Sequence, residues 1–318
     1  MEEKQIRRAF RRDIGSYGWV LIIYYVLMNL CVIASVFLDM LFRSVRMALT
    51  GDLTGMVELE ADAVMGNGWG YIAACMLGVL LIRGWKGKTF FAGMWKTTRN
   101  MNPGAFFGLL CLFVSGQLIF QGLATVEELI LNMFGLSLVE AMELATGITD
   151  TFSMFLYTCL FAPVVEEIVF RGLVMRGLEK YGKWFAVVAS SVLFGLFHGN
   201  PAQSPYAFAV GLVMGYVAME YNLLWAMVMH MINNLVLGDL IPRLTLGLGE
   251  MGSAMAVQAV VWFCAAGAVA YLITKGSHLC AYRLEHPTVS GSWRGFWTAP
   301  GVIVMTVVMT VNGITMLI

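Results

Sequence analysis

Charged residues are scarce in this 318-residue chain: 13% of its residues are charged and 59% are hydrophobic. Soluble domains carry roughly 25% charged residues, so the composition argues against a soluble enzyme and predicts an integral membrane protein. The formal net charge is +0, so nothing predicts binding to a nucleic acid. The partner that composition does predict is membrane lipid.

Several catalytic and structural signatures are also missing. The six cysteines are scattered and never form a CxxC pair, which argues against a zinc ribbon or a disulfide framework. The sequence has no HExxH, no serine in a G-x-S-x-G setting within an apolar run, and no legible Ser-His-Asp arrangement. These absences argue against the rhomboid-like and site-2-protease-like classes of membrane hydrolase.

Long apolar runs predict an all-α, polytopic transmembrane helix bundle of about 8–9 spans, because about 20 apolar residues cross a bilayer. Several apolar cores are shorter than this, so we expect those helices to extend into their flanks. The predicted spans are Tyr17–Leu41, Trp69–Ile82, Ala105–Ala124, Thr151–Phe170, Trp184–Phe197, Tyr206–Met219, Leu223–Leu240, Ala254–Thr274 and Gly301–Ile318.

Charge in the short loops predicts the orientation of the chain. The N-terminal segment is basic and every second loop after it is basic, so we expect a multi-pass protein of the cell membrane with a cytoplasmic N-terminus. Arg43 and Arg46 are the exceptions, because they follow the first span on the outer side. The other predicted outer residues are acidic, namely Asp52, Glu58, Glu60, Asp62, Glu127, Glu128, Glu140, Glu143 and Asp150.

Two adjacent glutamates interrupt the fourth predicted span in "FAPVVEEIVFRG". A charge at membrane depth costs roughly 2.5–3.5 kcal/mol on insertion scales and usually marks function. Glu167 and Arg171 are i,i+4 neighbours with the acid first, the favourable order for an ion pair. Glu166 projects about 100° away around the helix and stays available for chemistry. Pro163 predicts a kink beside them, and an interfacial charge pair is the alternative interpretation.

Two further polar clusters lie on later spans. His198 ends the apolar run of "FGLFHGNP", where the alternative role is an ordinary polar cap. In "HMINN", His230 and Asn234 share one helix face, where the alternative is interhelical hydrogen bonding. Four other polar residues have no partner pattern and are interpreted as packing or interfacial residues: Asn29, Asp39, Gln117 and Gln121.

Helix geometry gives an approximate depth for each of the three clusters. Counted from the inner turns at 1.5 Å per residue, Glu166 lies about 21 Å deep, His198 about 22 Å and His230 about 12 Å. All three groups can therefore reach the middle of the bilayer. One carboxylate and two imidazoles in a low-dielectric site suit either water activation or metal binding.

The motifs Glu-Glu-x-x-x-Arg, Phe-x-x-x-His and His-x-x-x-Asn occur in this order on three separate spans. This arrangement resembles the CAAX protease and bacteriocin-processing family, whose members are intramembrane endopeptidases related to the type II CAAX prenyl endopeptidase. The resemblance covers roughly Thr151 to Leu240. The three motifs are weak one by one and specific together.

The resemblance implies a role for each matching residue. Glu166 would activate the attacking water, His198 would assist the water or the substrate carbonyl, and Asn234 would donate to the oxyanion. The implied site residues are Glu166, His198, His230 and Asn234, supported by Glu167 and Arg171. The implied organisation is a basic segment with three spans over 1–150, a catalytic core of four spans over 151–240, and one or two spans over 241–318.

The resemblance also implies the substrate class and leaves two questions open. The substrate would be a membrane-associated peptide or protein, such as a prenylated tail, a leader peptide or a membrane regulator. No cofactor is expected; the alternative is a zinc ion on Glu166, His198 and His230 with an open fourth position. The alternative functions are a non-catalytic membrane scaffold or regulator, in bacteriocin immunity or sensor-kinase control, and a proton-coupled transporter, for which repeated halves would be expected.

Small residues predict one close helix contact. Ala207, Gly211 and Gly215 recur every four residues on the sixth span. Such a face lets two helices approach closely in a membrane. We expect the sixth span to cross a neighbour there.

Overall fold

The computed structural model describes residues 2–50, 66–139, 141–142 and 151–317, with side chains from Arg8 onward. Within those ranges the chain is helical apart from short connections and has no strand, which confirms the all-α fold. Seven of the acidic residues predicted on the outer side lie outside the described residues: Asp52, Glu58, Glu60, Asp62, Glu140, Glu143 and Asp150.

The described ranges contain ten helices that frame the site, labelled in chain order. They are α1 (Glu2–Thr50), α2 (Trp69–Gly93), α3 (Pro103–Asn132), α4 (Phe152–Tyr181), α5 (Lys183–Phe197), α6 (Gln203–Glu220), α7 (Leu223–Ile232), α8 (Gly249–Glu285), α9 (Ser292–Trp297) and α10 (Pro300–Thr315). After α7 the chain stays helical through Asn233–Leu240 and Ile241–Thr245.

Every predicted span overlaps one of these helices, but the number of spans agrees only roughly. With 15 and 16 residues, α5 and α10 rise only about 22–24 Å, less than the roughly 30 Å of a hydrocarbon core. The predicted spans Leu223–Leu240 and Ala254–Thr274 fall in one continuous helical stretch, Leu223–Glu285, which turns at Gly249, where φ is 73°. The stretches long and apolar enough to cross a membrane are Arg8–Thr50, Pro103–Asn132, Phe152–Tyr181 and Leu223–Glu285.

Local signals explain where the helices around the centre begin. Asn102, Thr151 and Asn222 each accept a backbone N–H at the start of α3, α4 and α7, with distances of 2.9, 3.2 and 2.7 Å. Such side-chain caps satisfy N–H groups that have no partner within the helix. Gly182, with φ at 113°, makes the sharp turn between α4 and α5 that only glycine adopts readily.

The basic segments of the chain gather on one side of the bundle. Lys180, at the end of α4, pairs with Asp13 near the start of α1 at 2.9 Å. Arg11 donates from Nε to the carbonyl of Thr298, between α9 and α10, at 3.1 Å. The start of α1 therefore lies on the same side of the bundle as the loop that follows α4, and the cytoplasmic orientation of that side stays a prediction.

The small-residue face of α6 packs closely against α5, its most extensive neighbour. A Cβ added to Gly211 would lie 3.1 Å from the Cβ of Ser191 and 3.2 Å from Nη2 of Arg171. A Cβ added to Gly215 would lie 3.0 Å from Cγ1 of Val187. The close crossing predicted from the sequence is present, and it brings α5 and α6 against α4.

Candidate functional site

The helix α4 widens on both sides of its two glutamates. Residues Tyr157–Phe161 and Ile168–Met175 are π-helical, and the segment between them, Ala162–Glu167, is α-helical. Pro163 lies two residues after the last residue of the first wide turn, and the kink predicted there stays a prediction. Single π-helical turns within α-helices occur frequently at functional sites.

The first wide turn leaves one backbone carbonyl without its regular helical partner. The N–H of Ala162 bonds to the carbonyl of Tyr157, five residues earlier. The corresponding partner of Thr158 would be the N–H of Pro163, which proline does not have. The Thr158 carbonyl instead accepts the side-chain amide of Asn234 at 2.9 Å. Pro163 thus creates the acceptor that holds a residue of the third motif.

Glu167 and Arg171 form the ion pair that their spacing predicts. Nη1 of Arg171 donates to Oε1 of Glu167 at 3.0 Å, and both side chains are 0% exposed. Nη2 of Arg171 also donates to the carbonyl of Gly211 at 3.4 Å, and the guanidinium lies 4.2 Å from the ring centroid of Phe194. A carboxylate, a carbonyl and an aromatic face together stabilise the buried cation, while Nε of Arg171 and Oε2 of Glu167 are buried without a hydrogen-bond partner.

His230 lies between the two glutamates. Its Nδ1 is 3.0 Å from Oε1 of Glu167, so this ring nitrogen donates to the buried carboxylate. The neutral ring then presents an unprotonated Nε2, which faces Oε2 of Glu166 at 3.8 Å. Glu166 is 25% exposed, in contrast to the enclosed Glu167. A distance of 3.8 Å exceeds that of a direct hydrogen bond and suits a group placed between the two atoms.

His198 caps the end of α5 and faces the same centre. Its Nδ1 donates to the carbonyl of Phe194 at 2.8 Å, which leaves Nε2 as an acceptor in the neutral ring. The rings of His198 and His230 both pack edge-on against Phe194, with centroid distances of 4.8 and 6.1 Å. Glu166 and His230 are both close enough to interact electrostatically with His198. The structure therefore gathers the predicted histidines around one aromatic ring.

Asn234 belongs to a chain of side-chain hydrogen bonds that sequence reasoning missed. Its Oδ1 accepts from Nδ2 of Asn233 at 3.1 Å, and Oδ1 of Asn233 accepts from the hydroxyl of Tyr206 at 3.3 Å. That hydroxyl in turn accepts from Nε2 of Gln117 at 3.0 Å. The interpretation of Gln117 as a residue without a specific partner is corrected by this bond. The one sequence signal for this series of hydrogen bonds was the adjacent pair Asn233 and Asn234.

The polar residues predicted on α1 form local bonds only. Asn29 donates to the carbonyl of Tyr25 at 2.8 Å within the same helix. Asp39 pairs with Arg43 at 2.8 Å, so one of the basic residues that broke the charge pattern is neutralised by its neighbour. These bonds agree with an interfacial role and place no α1 charge at the site.

The sequence left open a three-ligand zinc site on Glu166, His198 and His230, and it stays an alternative to be tested. Zinc requires its oxygen and nitrogen ligands at about 2.0–2.2 Å from one point. Glu166 and His230 are neighbours, but across residues 2–50, 66–139, 141–142 and 151–317 no three His, Cys, Asp or Glu side chains are grouped to hold one ion. His198 does not complete the set.

Comparison with known proteins gives one match. Residues 148–236 match the family model described as type II CAAX prenyl endopeptidase Rce1-like, and all three motifs fall within this range. No curated protein matches the chain, and no solved structure matches it. This match supports a CAAX-type intramembrane protease in general terms, with a peptide or protein as its substrate. Over these residues, which make up less than half of its length, the chain is therefore similar to the type II CAAX prenyl endopeptidase Rce1-like family.

Proposed function

We propose that this chain is an intramembrane endopeptidase in which Glu166 activates the water that attacks a peptide bond. The observation that supports this mechanism is the position of His230 between two glutamates. Its Nδ1 bonds to Glu167 at 3.0 Å, and its Nε2 faces Glu166 at 3.8 Å. A histidine oriented by one carboxylate and directed toward another is an arrangement suited to proton transfer.

The two glutamates have different roles in this proposal. Glu167 is fully enclosed, and its Oε1 already accepts from both Arg171 and His230. It therefore serves to hold the histidine and not to exchange protons with a substrate. Glu166 is partly exposed, so water and a peptide can reach it.

The hydrolysis would proceed in two steps. Water between Oε2 of Glu166 and Nε2 of His230 transfers a proton to Glu166 as its oxygen bonds to the carbonyl carbon. The resulting oxyanion accepts an N–H of Asn234. The tetrahedral intermediate then collapses: the C–N bond breaks, the amine leaves with the proton from Glu166, and a carboxylic acid remains. Because Nε2 of His198 is an acceptor in the neutral ring, we assign His198 to the water and not to the oxyanion.

The family match supports a prenylated C-terminal tail as the first substrate class to test. A farnesylated CaaX peptide and a double-glycine leader peptide, each presented to the purified protein in proteoliposomes, separate two of the possible classes. Mass spectrometry of membrane peptides from cells with active and inactive protein covers membrane regulators. Cleavage products that depend on Glu166 in any of these assays support an endopeptidase.

The decisive variant is Glu166→Gln, which keeps the size of the side chain and removes the base. We expect turnover to fall by about 10²–10⁴, the usual contribution of a general base. Glu179→Gln is the matched control, because Glu179 lies on the same helix and pairs only locally with Arg176 at 3.2 Å. The turnover of this control should stay within about twofold of wild type, because a partly exposed ion pair contributes little. Normal turnover in Glu166→Gln, or a cellular phenotype that it leaves unchanged, contradicts the proposal and favours a scaffold.

The same assay has a second arm that tests for a metal. Because no three ligand side chains are grouped to hold one ion in the described part of the chain, we expect turnover to persist after exhaustive treatment with a chelator. Zinc is then added back to the treated protein. Loss of turnover that only zinc restores would contradict the metal-free mechanism and make Glu166, His198 and His230 ligands.

A further inference from the structure

The hydrogen bonds around Asn234 form a directed chain across four segments of the bundle. Gln117 on α3 donates to Tyr206 on α6, Tyr206 donates to Asn233, and Asn233 donates to Asn234. Asn234 donates to the Thr158 carbonyl on α4. The four distances lie between 2.9 and 3.3 Å. Every donor in the chain points the same way, from α3 toward α4.

The direction of this chain fixes which atom Asn234 presents to a substrate. Oδ1 of Asn234 faces the amide of Asn233, and Nδ2 faces the carbonyl of Thr158. An amide nitrogen carries two N–H groups, so the bond to Thr158 leaves the second one for a reacting group. If the amide rotated by 180°, it would present an oxygen lone pair and repel an oxyanion. The bonds to Asn233 and Thr158 oppose that rotation.

The hydroxyl of Tyr206 determines the orientation of Asn233. Because Gln117 donates to this hydroxyl, its own hydrogen is directed to Oδ1 of Asn233. Oδ1 of an amide is only an acceptor, so Asn233 must then turn its NH₂ group toward Asn234. The side chain of Asn233 is buried, with 8% of its surface exposed, and has little water to use as an alternative partner. The orientation of Asn234 thus depends on a phenol two residues along the chain of bonds.

We infer that Tyr206, held by Gln117, is a positioning residue that aligns the amide of Asn234 with the oxyanion, an inference that rests on the proposed function. Tyr206 touches neither water nor substrate in this scheme. Its contribution is the preorganisation of a donor, which catalysis needs before charge develops. The effect should appear in kcat and not in KM, because the alignment matters only in the transition state.

The test is a double-mutant cycle between Tyr206→Phe and Asn234→Ala, with a farnesylated CaaX peptide as the probe, or a peptide identified from cells if that probe is not cleaved. Single-turnover measurements with excess enzyme keep slow variants measurable, since loss of an oxyanion donor costs about 10²–10³ in rate. We expect Tyr206→Phe alone to lower kcat about tenfold with KM within about twofold. In the Asn234→Ala background, Tyr206→Phe should change the rate by less than about twofold.

Two further variants separate positioning from general stability. Gln117→Leu leaves the bond from Tyr206 to Asn233, so we expect a smaller loss of about threefold, in the range of one hydrogen bond. Tyr282→Phe is the matched control, because that hydroxyl donates to Glu220 at 3.0 Å at the inner end of the bundle. It should retain wild-type turnover, and all these variants should unfold at similar temperatures.

The outcomes divide cleanly. Wild-type turnover in Tyr206→Phe, or an equal loss with and without Asn234, would overturn the inference while an inactive Glu166→Gln variant still supported the proposed function. A rise in KM with unchanged kcat would also overturn it, since Tyr206 would then shape substrate binding. Wild-type turnover in Asn234→Ala would instead remove the oxyanion role from the proposed function itself.

Discussion

Two ion pairs in this protein have the same local geometry and different surroundings. Glu167 with Arg171 and Asp39 with Arg43 are both i,i+4 pairs with the acid first, at 3.0 and 2.8 Å. The first pair is 0% exposed between helices, whereas the side chains of Arg43 and Asp39 are 48% and 39% exposed on α1. Sequence spacing identifies both pairs equally well. Only the packing of the bundle shows that the charges of the Glu167–Arg171 pair are shielded from water and depend on neighbouring protein groups.

The two helices that carry these ion pairs, α4 and α1, also differ in hydropathy and in how much of each is buried. Of the four long apolar stretches, Arg8–Thr50 has the highest mean hydropathy, and 11% of its most apolar window is buried. Phe152–Tyr181 has the lowest, and 44% is buried. In a soluble protein the most apolar helix would be expected in the core. Here lipid covers the apolar helix, and the helix with charged groups lies at the centre, where other side chains compensate them.

The largest expected effect comes from removing one partner of the buried pair. Arg171→Met leaves the carboxylate of Glu167 enclosed without a cation, which typically costs about 3–5 kcal/mol. The matched variant Arg43→Met should change the free energy of unfolding by less than about 1 kcal/mol, because water solvates Asp39. Unfolding by SDS in mixed micelles measures both. Turnover should also fall in Arg171→Met, since Glu167 holds His230.

Equal losses in the two variants would break the comparison, because burial would then make no difference to the pair. Arg171→Lys sharpens the result. A lysine keeps the charge but has no planar fork to reach both Glu167 and the Gly211 carbonyl. We expect this variant to lie between Arg171→Met and wild type, and a value as low as that of Arg171→Met would show that geometry, and not charge alone, stabilises the site.

Sequence periodicity predicted the helices well and their ends less well. The run Trp69–Ile82 continues to Gly93, past a break at Gly87 where φ is 81°. The run Ala254–Thr274 extends to Gly249–Glu285. The extra residues are polar or mixed, so an apolar count omits them although the backbone stays hydrogen-bonded. Hydrophobicity indicates which residues contact lipid, whereas helix ends depend on caps and turns.

For the candidate site, spacing predicted contacts within a helix and missed those between helices. The pair of Glu167 with Arg171 follows from a separation of four residues. The bond between His230 and the same carboxylate joins residues 63 apart, and no local rule anticipates it. The bond from Asn234 to the Thr158 carbonyl depends on a wide turn and on the missing N–H of Pro163. The sequence contained the proline but not the identity of the residue that would use the freed carbonyl.

A smaller effect is expected where a glycine lets helices meet. Gly211→Leu places its Cβ against Ser191 and Nη2 of Arg171, at 3.1 and 3.2 Å. Overpacking of this kind costs typically about 1–3 kcal/mol and should also displace the Gly211 carbonyl from Arg171. Gly122→Leu is the matched control on α3, because nothing lies within 4 Å of its added Cβ. It should be neutral or slightly stabilising, since glycine weakens a helix by about 1 kcal/mol.

Equal stability of Gly211→Leu and Gly122→Leu would contradict this prediction. It would mean that the helices separate at low cost and that the close crossing of α5 and α6 is not needed to hold Arg171. A stable Gly211→Leu variant with reduced turnover would mean instead that the packing adjusts while the site does not.

The smallest expected difference concerns two serines with the same kind of bond in the two regions. Ser190 donates to the carbonyl of Phe170 at 2.7 Å from a buried position, where Phe170 belongs to the second wide turn of α4. Ser44 donates to the carbonyl of Met40 at 2.8 Å on the exposed face of α1.

Side-chain hydrogen bonds inside membrane proteins average about 0.6 kcal/mol and reach about 1.7 kcal/mol. We expect Ser190→Ala to lie near the upper end of this range, because the bond is buried and joins α5 to a π-helical turn of α4. Ser44→Ala should change stability by less than about 0.5 kcal/mol, the usual limit for a surface substitution. Unfolding in mixed micelles distinguishes the two values. If the variants are equally stable, the wide turn is held by apolar packing alone, and the contrast between the two regions is limited to their charges.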